Sequence, residues 1–228
     1  LLEYNADTPT SLYEAAVVQW RWLEQLIASG ALPPHADQFT SLHEKLIARF
    51  GQILKPGFLH LACMRDAADD AGTLAYLSDC ALQAGFDTGL VDMAHIGLRG
   101  ETFVDGTGRR IARLFKLYPW EWMFADAFGR SPAMARTQFI EPPWKLILSN
   151  KGALTLLWEK APHPPNLLEC YFEDENPPLT RYARKPLYSR EGADIELKGD
   201  GEPLRGASDG YGAEGFVRQA LRPLPEFG

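Results

Sequence analysis

The sequence predicts a mixed α/β (α+β) protein, and two observations carry that reading. Between residues 57 and 93, an apolar run of strand length, a helical stretch and a second strand-like run follow one another, the rhythm of a small parallel α/β unit. From residue 139 the chain becomes rich in proline and breaks into short strand-like pieces with polar turns, the texture of antiparallel pairing. A soft boundary near residue 138 divides the chain into regions 1–138 and 139–228.

The elements follow in order. Residues 10–30 read as an amphipathic helix, with Leu12, Ala15, Ala16, Gln19, Leu23 and Leu26 on one stripe, Thr8 or Thr10 as cap, Pro9 at the start and Gly30 at the stop. A second helix fits residues 35–54, and GFLHLACM (57–64) has the length of a strand. Residues 65–72 read as a polar loop, followed by a helix ending at Gly85 and a strand over 87–93. The DGTG turn inside residues 103–118 predicts a hairpin, and Pro119 opens a short helix. Two helical pieces broken at Ser149-Asn150 come next, then strands over 181–188, 193–198 and 215–224.

The bulk numbers exclude some functions. With 228 residues and 46% hydrophobics the chain can bury a proper core. A net charge of −7 argues against nucleic-acid partners and anionic membranes, both of which favour basic faces. No segment reaches the ~20 apolar residues of a membrane span. Cys63, Cys80 and Cys170 have no metal-ligand spacing; Cys63 and Cys80 read as buried thiols, and a reducing cytoplasm is the expected compartment.

Candidate chemistry begins in the second half. RYARKPLYSREGADIEL is strand, glycine-containing turn, strand; Lys185 lies on the first strand, while Ser189, Arg190 and Gly192 can offer backbone N–H groups and a cation to a phosphate. Asn150-Lys151-Gly152 opens a helix, whose N-terminus favours anions. Two lysines and a glycine turn can cradle a triphosphate, although no GxxxxGK[ST] loop occurs. The plainer reading makes Lys185 a solvated strand lysine and Gly192 an ordinary turn glycine. At the N-terminus, Glu3 and Asn5 are two apart, which on a strand sets a carboxylate and an amide oxygen on one face, a donor pair suited to Mg²⁺. The plainer reading there is a strand end with Asp7 or Thr8 capping the next helix.

EYNADTPTS, FKLYPWEWM, EPPWKLILSNKGALTLLWE, YARKPLYSREGA and VRQALRPLP, in this order, resemble the synthetase part of glutathionylspermidine synthases, and most of all its stand-alone acid–amine ligases. The resemblance runs from Glu3 to Pro225 and implies a pre-ATP-grasp α/β unit followed by a partial ATP-grasp domain with antiparallel strands. It implies an ATP- and Mg²⁺-dependent ligase that activates a small carboxylate, such as a peptide like glutathione, as an acyl phosphate for attack by an amine such as a polyamine. It further implies Glu3 and Asn5 as Mg²⁺ ligands and Thr8 beside the acid substrate. Lys151 and Lys185 would contact ATP, the loop Ser189, Arg190, Gly192 and Ala193 would cover the phosphates, and Gln219, Ala220, Leu221 and Arg222 would form the adenine-side hinge. Lys185 and Arg190 are then the candidate catalytic cations. Asp69, Asp70 and Glu121 are candidate substrate contacts; the plainer reading has Asp69 and Asp70 capping a helix and Trp120 and Trp122 as core and rim aromatics.

The family's arginine-x-acid strand before E-Y-N-A-D and its strands past the hinge, with a second arginine, have no counterpart in this sequence. The stretch alone is therefore expected to be a poor catalyst. Two competing readings stand beside the ligase: a degenerate nucleotide-binding domain with a structural or regulatory role, and an acyl-phosphate-forming protein without an amine partner.

Overall fold

The computed structural model describes residues 1–64, 68–161, 164–223 and 225. The chain forms two compact units: Asp7–Pro143, and Leu1–Ala6 together with Trp144–Gly228.

The Asp7–Pro143 unit is built on a four-stranded sheet in the order β2-β1-β5-β6, with β1 Phe58–Cys63, β2 Asp87–Asp92, β5 Arg113–Leu117 and β6 Gln138–Ile140, every pairing parallel. Five of the six β1 residues are buried, the pattern of a strand covered on both faces. The crossover from β1 to β2 is α3, Ala68–Gln83, whose Leu74, Leu77 and Cys80 join Leu59, Leu61 and Phe115 in the core. Burying each such side chain contributes about 1.5–3 kcal/mol. A π-helical turn at Glu14–Val18 leads into α1, Gln19–Ala28, and α2 spans Leu42–Ile53.

Several expectations change here. The N-terminal helix starts only after Ser11, whose φ of 57° breaks the helical path, so neither Thr8 nor Thr10 caps it. Residues 35–41 are not helical: the Asp37 side chain takes the N–H of Gln38, and Phe39 is fully exposed. Of the expected 65–72 loop, residues 65–67 lie outside the described residues, and Asp69 and Asp70 sit in the first turn of α3, where carboxylates favour the helix dipole. The 103–118 hairpin is replaced by a different pairing. β4, Thr102–Val104, pairs antiparallel with β3, Gly97–Arg99, and only a single bridge, Val104 to Arg110, continues past the DGTG turn. β5 leaves that turn and enters the parallel sheet, because Leu114 to Leu117 are buried and a two-stranded ribbon would leave them wet.

The second unit holds a five-stranded antiparallel sheet in the order β10-β9-β8-β11-β7: β7 Cys170–Phe172, β8 Tyr182–Pro186, β9 Glu196–Lys198, β10 Leu204–Arg205 and β11 Phe216–Ala220. Two short helices precede it, α5 Lys145–Ser149 and α6 Gly152–Lys160. Leu154 of α6 packs with Cys170 and Val217 as a small core. The two units together give the mixed architecture expected: a parallel α/β unit and an antiparallel, ATP-grasp-like portion. Among the described residues no helix is long and apolar enough to cross a membrane.

Candidate functional site

In the Trp144–Gly228 unit, strand alternation sorts β8 and β11 into two faces. Ala183 and Lys185 of β8 and Val217 and Gln219 of β11 are buried on one face, while Tyr182, Arg184, Phe216 and Arg218 lie on the other. Lys185 pairs with Val217 and Ala183 with Gln219, so Lys185 and Gln219 are diagonal neighbours on the buried face. Lys185 Nζ donates to Gln219 Oε1 at 2.8 Å and to the Leu2 carbonyl at 2.8 Å. Gln219 Nε2 in turn donates to the Leu1 carbonyl at 3.2 Å. Burial pushes the Lys185 ammonium below its usual range; Glu3 works against that, and the Lys151 charge adds to it.

Lys151 is the second buried cation, 4% exposed, directly before α6. Its Nζ donates to the Ser189 carbonyl at 2.9 Å and lies 3.8 Å from a Glu3 carboxylate oxygen. The Asn150 side chain takes the N–H of Gly152 at 2.7 Å, fixing the start of α6. A side chain at position 152 would stand 2.9 Å from both Asn150 Oδ1 and Phe172, so it would push the Asn150 cap or the Phe172 ring aside. Two desolvated lysines that feel each other's charge make a place where an anion is welcome. Ser189 Oγ, buried and without a partner, adds a donor beside them.

The loop after β8 is held from below. Glu191, Gly192 and Asp194 all have positive φ, and Ala193 N–H bonds the Arg190 carbonyl. The Asp194 carboxylate accepts from the N–H groups of Asp209 at 3.0 Å and Tyr211 at 2.8 Å, which holds its pKa below the usual carboxylate range. Gly206 passes under Gly192, where an added Cβ would stand 2.3 Å from the Gly192 carbonyl oxygen. Gly192 is exposed, Ala193 buried, and Arg190 lies in the turn itself.

At the hinge expected over 219–222, Gln219 is an interior strand residue committed to Lys185. Ala220 and Leu221 donate backbone N–H groups to Glu169 and Arg181, and Arg222 is exposed. On the outer face Glu173 takes Arg184 through both oxygens at 2.7 Å and Arg218 at 3.0 Å, clamping two arginines that face each other across the strands.

Residues 1–6 belong to no strand ladder, so Glu3 and Asn5 do not share a strand face. Their segment is tied instead by the Leu1 and Leu2 carbonyls and by Ala6 N–H, which bonds Ser149 Oγ at 3.0 Å. Both side chains are exposed oxygen donors, and Glu3 is bound electrostatically to Lys151. Among the described residues no three His, Cys, Asp or Glu side chains cluster for a metal. A carboxylate and an amide fit Mg²⁺, which keeps several waters and takes few protein ligands.

In the Asp7–Pro143 unit, the sequence order reverses around β1: its neighbours β2 and β5 lie on opposite sides. Open α/β sheets bind ligands outside the carboxyl ends of strands at such a switch. Thr8 is buried and directly follows Asp7, whose carboxylate takes the first N–H of α4, Trp120–Ala125; the first turn of α4 holds Glu121. Asp7 does not cap the helix that follows it in sequence; it is fully buried, with Lys116 Nζ at 2.6 Å, and takes the first N–H of α4, that of Trp120, at 2.7 Å. Trp120 is core and Trp122 rim. The sequence signal for Lys116 was a lysine inside the apolar run RLFKL. Cys63, Cys80 and Cys170 are buried, and burial raises each thiol's pKa, which disfavours the reactive thiolate.

The family model described as "Glutathionylspermidine synthase preATP-grasp" matches residues 1–228. A Haemophilus influenzae protein named "Putative acid--amine ligase" is 43% identical over 242 residues, covering 100% of this chain and 60% of that protein. The Escherichia coli (strain K12) "Bifunctional glutathionylspermidine synthetase/amidase" is 28% identical over 98% of this chain and 40% of its own length. The "Trypanothione synthetase" of Crithidia fasciculata is 25% identical over 97% of this chain and 38% of its own. The chain thus spans 60% or less of these curated relatives.

Proposed function

Because the chain belongs to the glutathionylspermidine synthase pre-ATP-grasp family, we propose that the protein works as an ATP- and Mg²⁺-dependent carboxylate–amine ligase. The observation that carries this is the pair of buried lysines, Lys151 and Lys185, beside the partnerless Ser189 hydroxyl. Two desolvated cations neutralise charge that develops on a transferred phosphoryl group, and that chemistry needs positioning and electrostatics more than covalent help from the protein. Lys185, steadied by Gln219, and Arg190 in the loop are the catalytic cations. Ser189 to Ala193 cover the phosphates and exclude water, and residues 219–222 flank the adenine. Glu3 and Asn5 would hold Mg²⁺, which supplies further neutralisation of phosphate charge when bound. Thr8, Glu121, Asp69 and Asp70 contact the acid and the amine. The names of the relatives support a peptide such as glutathione as the acid and a polyamine as the amine.

The test is ADP release by the natural full-length protein against a panel of glutathione and glutamate-containing dipeptides with putrescine and spermidine. The reading expects release that needs both acid and amine, an amide product, and acid-dependent hydroxamate when hydroxylamine replaces the amine. ADP release indifferent to the amine would refute it.

One observation favours the competing structural role. Lys185 and Lys151 already have carbonyl and amide partners within the fold. On that reading an ATP analogue leaves thermal stability unchanged.

A further inference from the structure

Resting on the ligase reading above, we propose that Asp7 and Lys116 are positioning residues for substrate. Their buried ion pair fixes the segment carrying Thr8 against the first residue of α4, which carries Glu121 next in sequence. Both side chains are wholly buried, at 0% exposure. Both Asp7 oxygens are engaged: one takes Lys116 Nζ at 2.6 Å and the other Trp120 N–H at 2.7 Å. Lys116 Nζ also donates to the Tyr118 carbonyl at 2.8 Å and stands 4.3 Å from the centre of the Trp120 ring. Trp120 Nε1 donates to the Glu141 carbonyl at 3.1 Å, so the same indole anchors the chain just after β6. The ion pair and the Trp120 indole together join three chain segments at the carboxyl end of β5.

A buried ion pair is a poor device for stability, since apolar residues of similar volume do as well or better. What it supplies is direction: a short, charge-assisted bond has one good geometry, and an apolar contact has many. The residues that follow the two bonded partners, Thr8 and Glu121, are the two that the ligase reading assigns to substrate. The pair holds their backbones in a fixed relation, at the switch point where open α/β sheets bind ligands.

The experiment compares the natural full-length protein with Asp7→Asn/Lys116→Gln, which replaces the ion pair by a neutral hydrogen bond of similar shape. Folding is checked by circular dichroism, and KM and kcat are measured for ATP, acid and amine with the best pair from the panel above. The proposal expects KM for acid or amine to rise about tenfold or more while KM for ATP stays within about twofold. Acid and amine KM values within about twofold of the unaltered protein, at full turnover, overturn the positioning role and leave the ligase reading intact. No amine-dependent ADP release from the unaltered protein overturns both. If the double variant does not fold, Lys116→Gln alone, whose amide can donate to Asp7, is read in the same way.

Discussion

The Asp7–Lys116 pair makes a sharp claim about stability, separate from catalysis. Asp7→Ala leaves an ammonium in the core without its carboxylate counter-charge, still facing the Tyr118 carbonyl and the Trp120 ring. Lys116→Met leaves a carboxylate with only the Trp120 N–H. With both partners at 0% exposure, water cannot compensate either charge, and each single change should cost about 3–5 kcal/mol. For a chain of this size that is a fall in Tm of roughly 6–20 °C. The double variant Asp7→Ala/Lys116→Met removes both charges and should lose about 2 kcal/mol less than the sum of the singles. The assay is urea unfolding at neutral pH, followed in parallel by tryptophan fluorescence and far-UV circular dichroism, whose coincidence checks two-state behaviour. Single losses below about 1 kcal/mol, or losses that add to within about 0.5 kcal/mol, would refute the reasoning.

Three further outcomes follow from other groups. Asp105 is pushed up by burial, yet bonds from Thr107, His60 and the N–H groups of Arg109 and Thr107 outweigh this and bring it down from 3.8 to about 2. Its share of stability is present above pH 3.8 and lost as pH falls toward 2, while His60, held below 6.5 by burial, begins to weaken the fold in acid nearer that value. Unfolding measured from pH 7 to 2 should show a slope that Asp105→Asn flattens; an unchanged slope contradicts it. Glu173→Gln leaves Arg184 and Arg218 facing each other and should cost about 1–2 kcal/mol at neutral pH. In the unaltered protein the Glu173 share is present above 4.5 and lost as pH falls below it, because the Arg184 bond holds the carboxyl low. Equal stability of Glu173→Gln and the unaltered protein at pH 7 would remove the clamp from the account. Gly206→Ala drives a methyl into the Gly192 carbonyl and should cost about 1–3 kcal/mol and displace the 189–195 loop, seen as faster hydrogen exchange at Ala193 and Ile195; unchanged exchange contradicts it.

What was legible in the sequence was what local pattern encodes. GFLHLACM gave β1 because a continuous apolar run of that length is the mark of a strand buried on both faces. The strands at Lys185 and Gln219 were readable as short strand-like pieces between polar, proline-rich turns. The pairing partner of β5 was not legible, because a turn at DGTG says that the chain reverses and not that the second strand continues into another sheet. Strands of two or three residues, such as β6, β7 and β10, carry too few residues for a period. The path of residues 1–6 depends on carbonyls meeting Lys185 and Gln219 more than 180 positions away, which no local window holds. Within the candidate site the two lysines and the Ser189, Arg190 and Gly192 turn were readable as a candidate phosphate cradle from the residues themselves, and the resemblance assigned them to ATP and added Ala193. The roles of Asn150, Gln219, Asp7 and Lys116 came only from burial and bonding in three dimensions. Lys116 was the one that had a readable signal, since a lysine inside an apolar strand needs a buried counter-charge.

The central claim is that Lys151 and Lys185 form a nucleotide phosphate site, and calorimetric titration of the natural full-length protein with a non-hydrolysable ATP analogue, with and without Mg²⁺, tests it most directly. The account predicts Mg²⁺-dependent binding, a stability gain of about 2.7 kcal/mol at a hundredfold excess over Kd, and loss of both in Lys151→Met and in Lys185→Met, each still folded. Binding of equal strength in the two variants, or none in the unaltered protein, would contradict it.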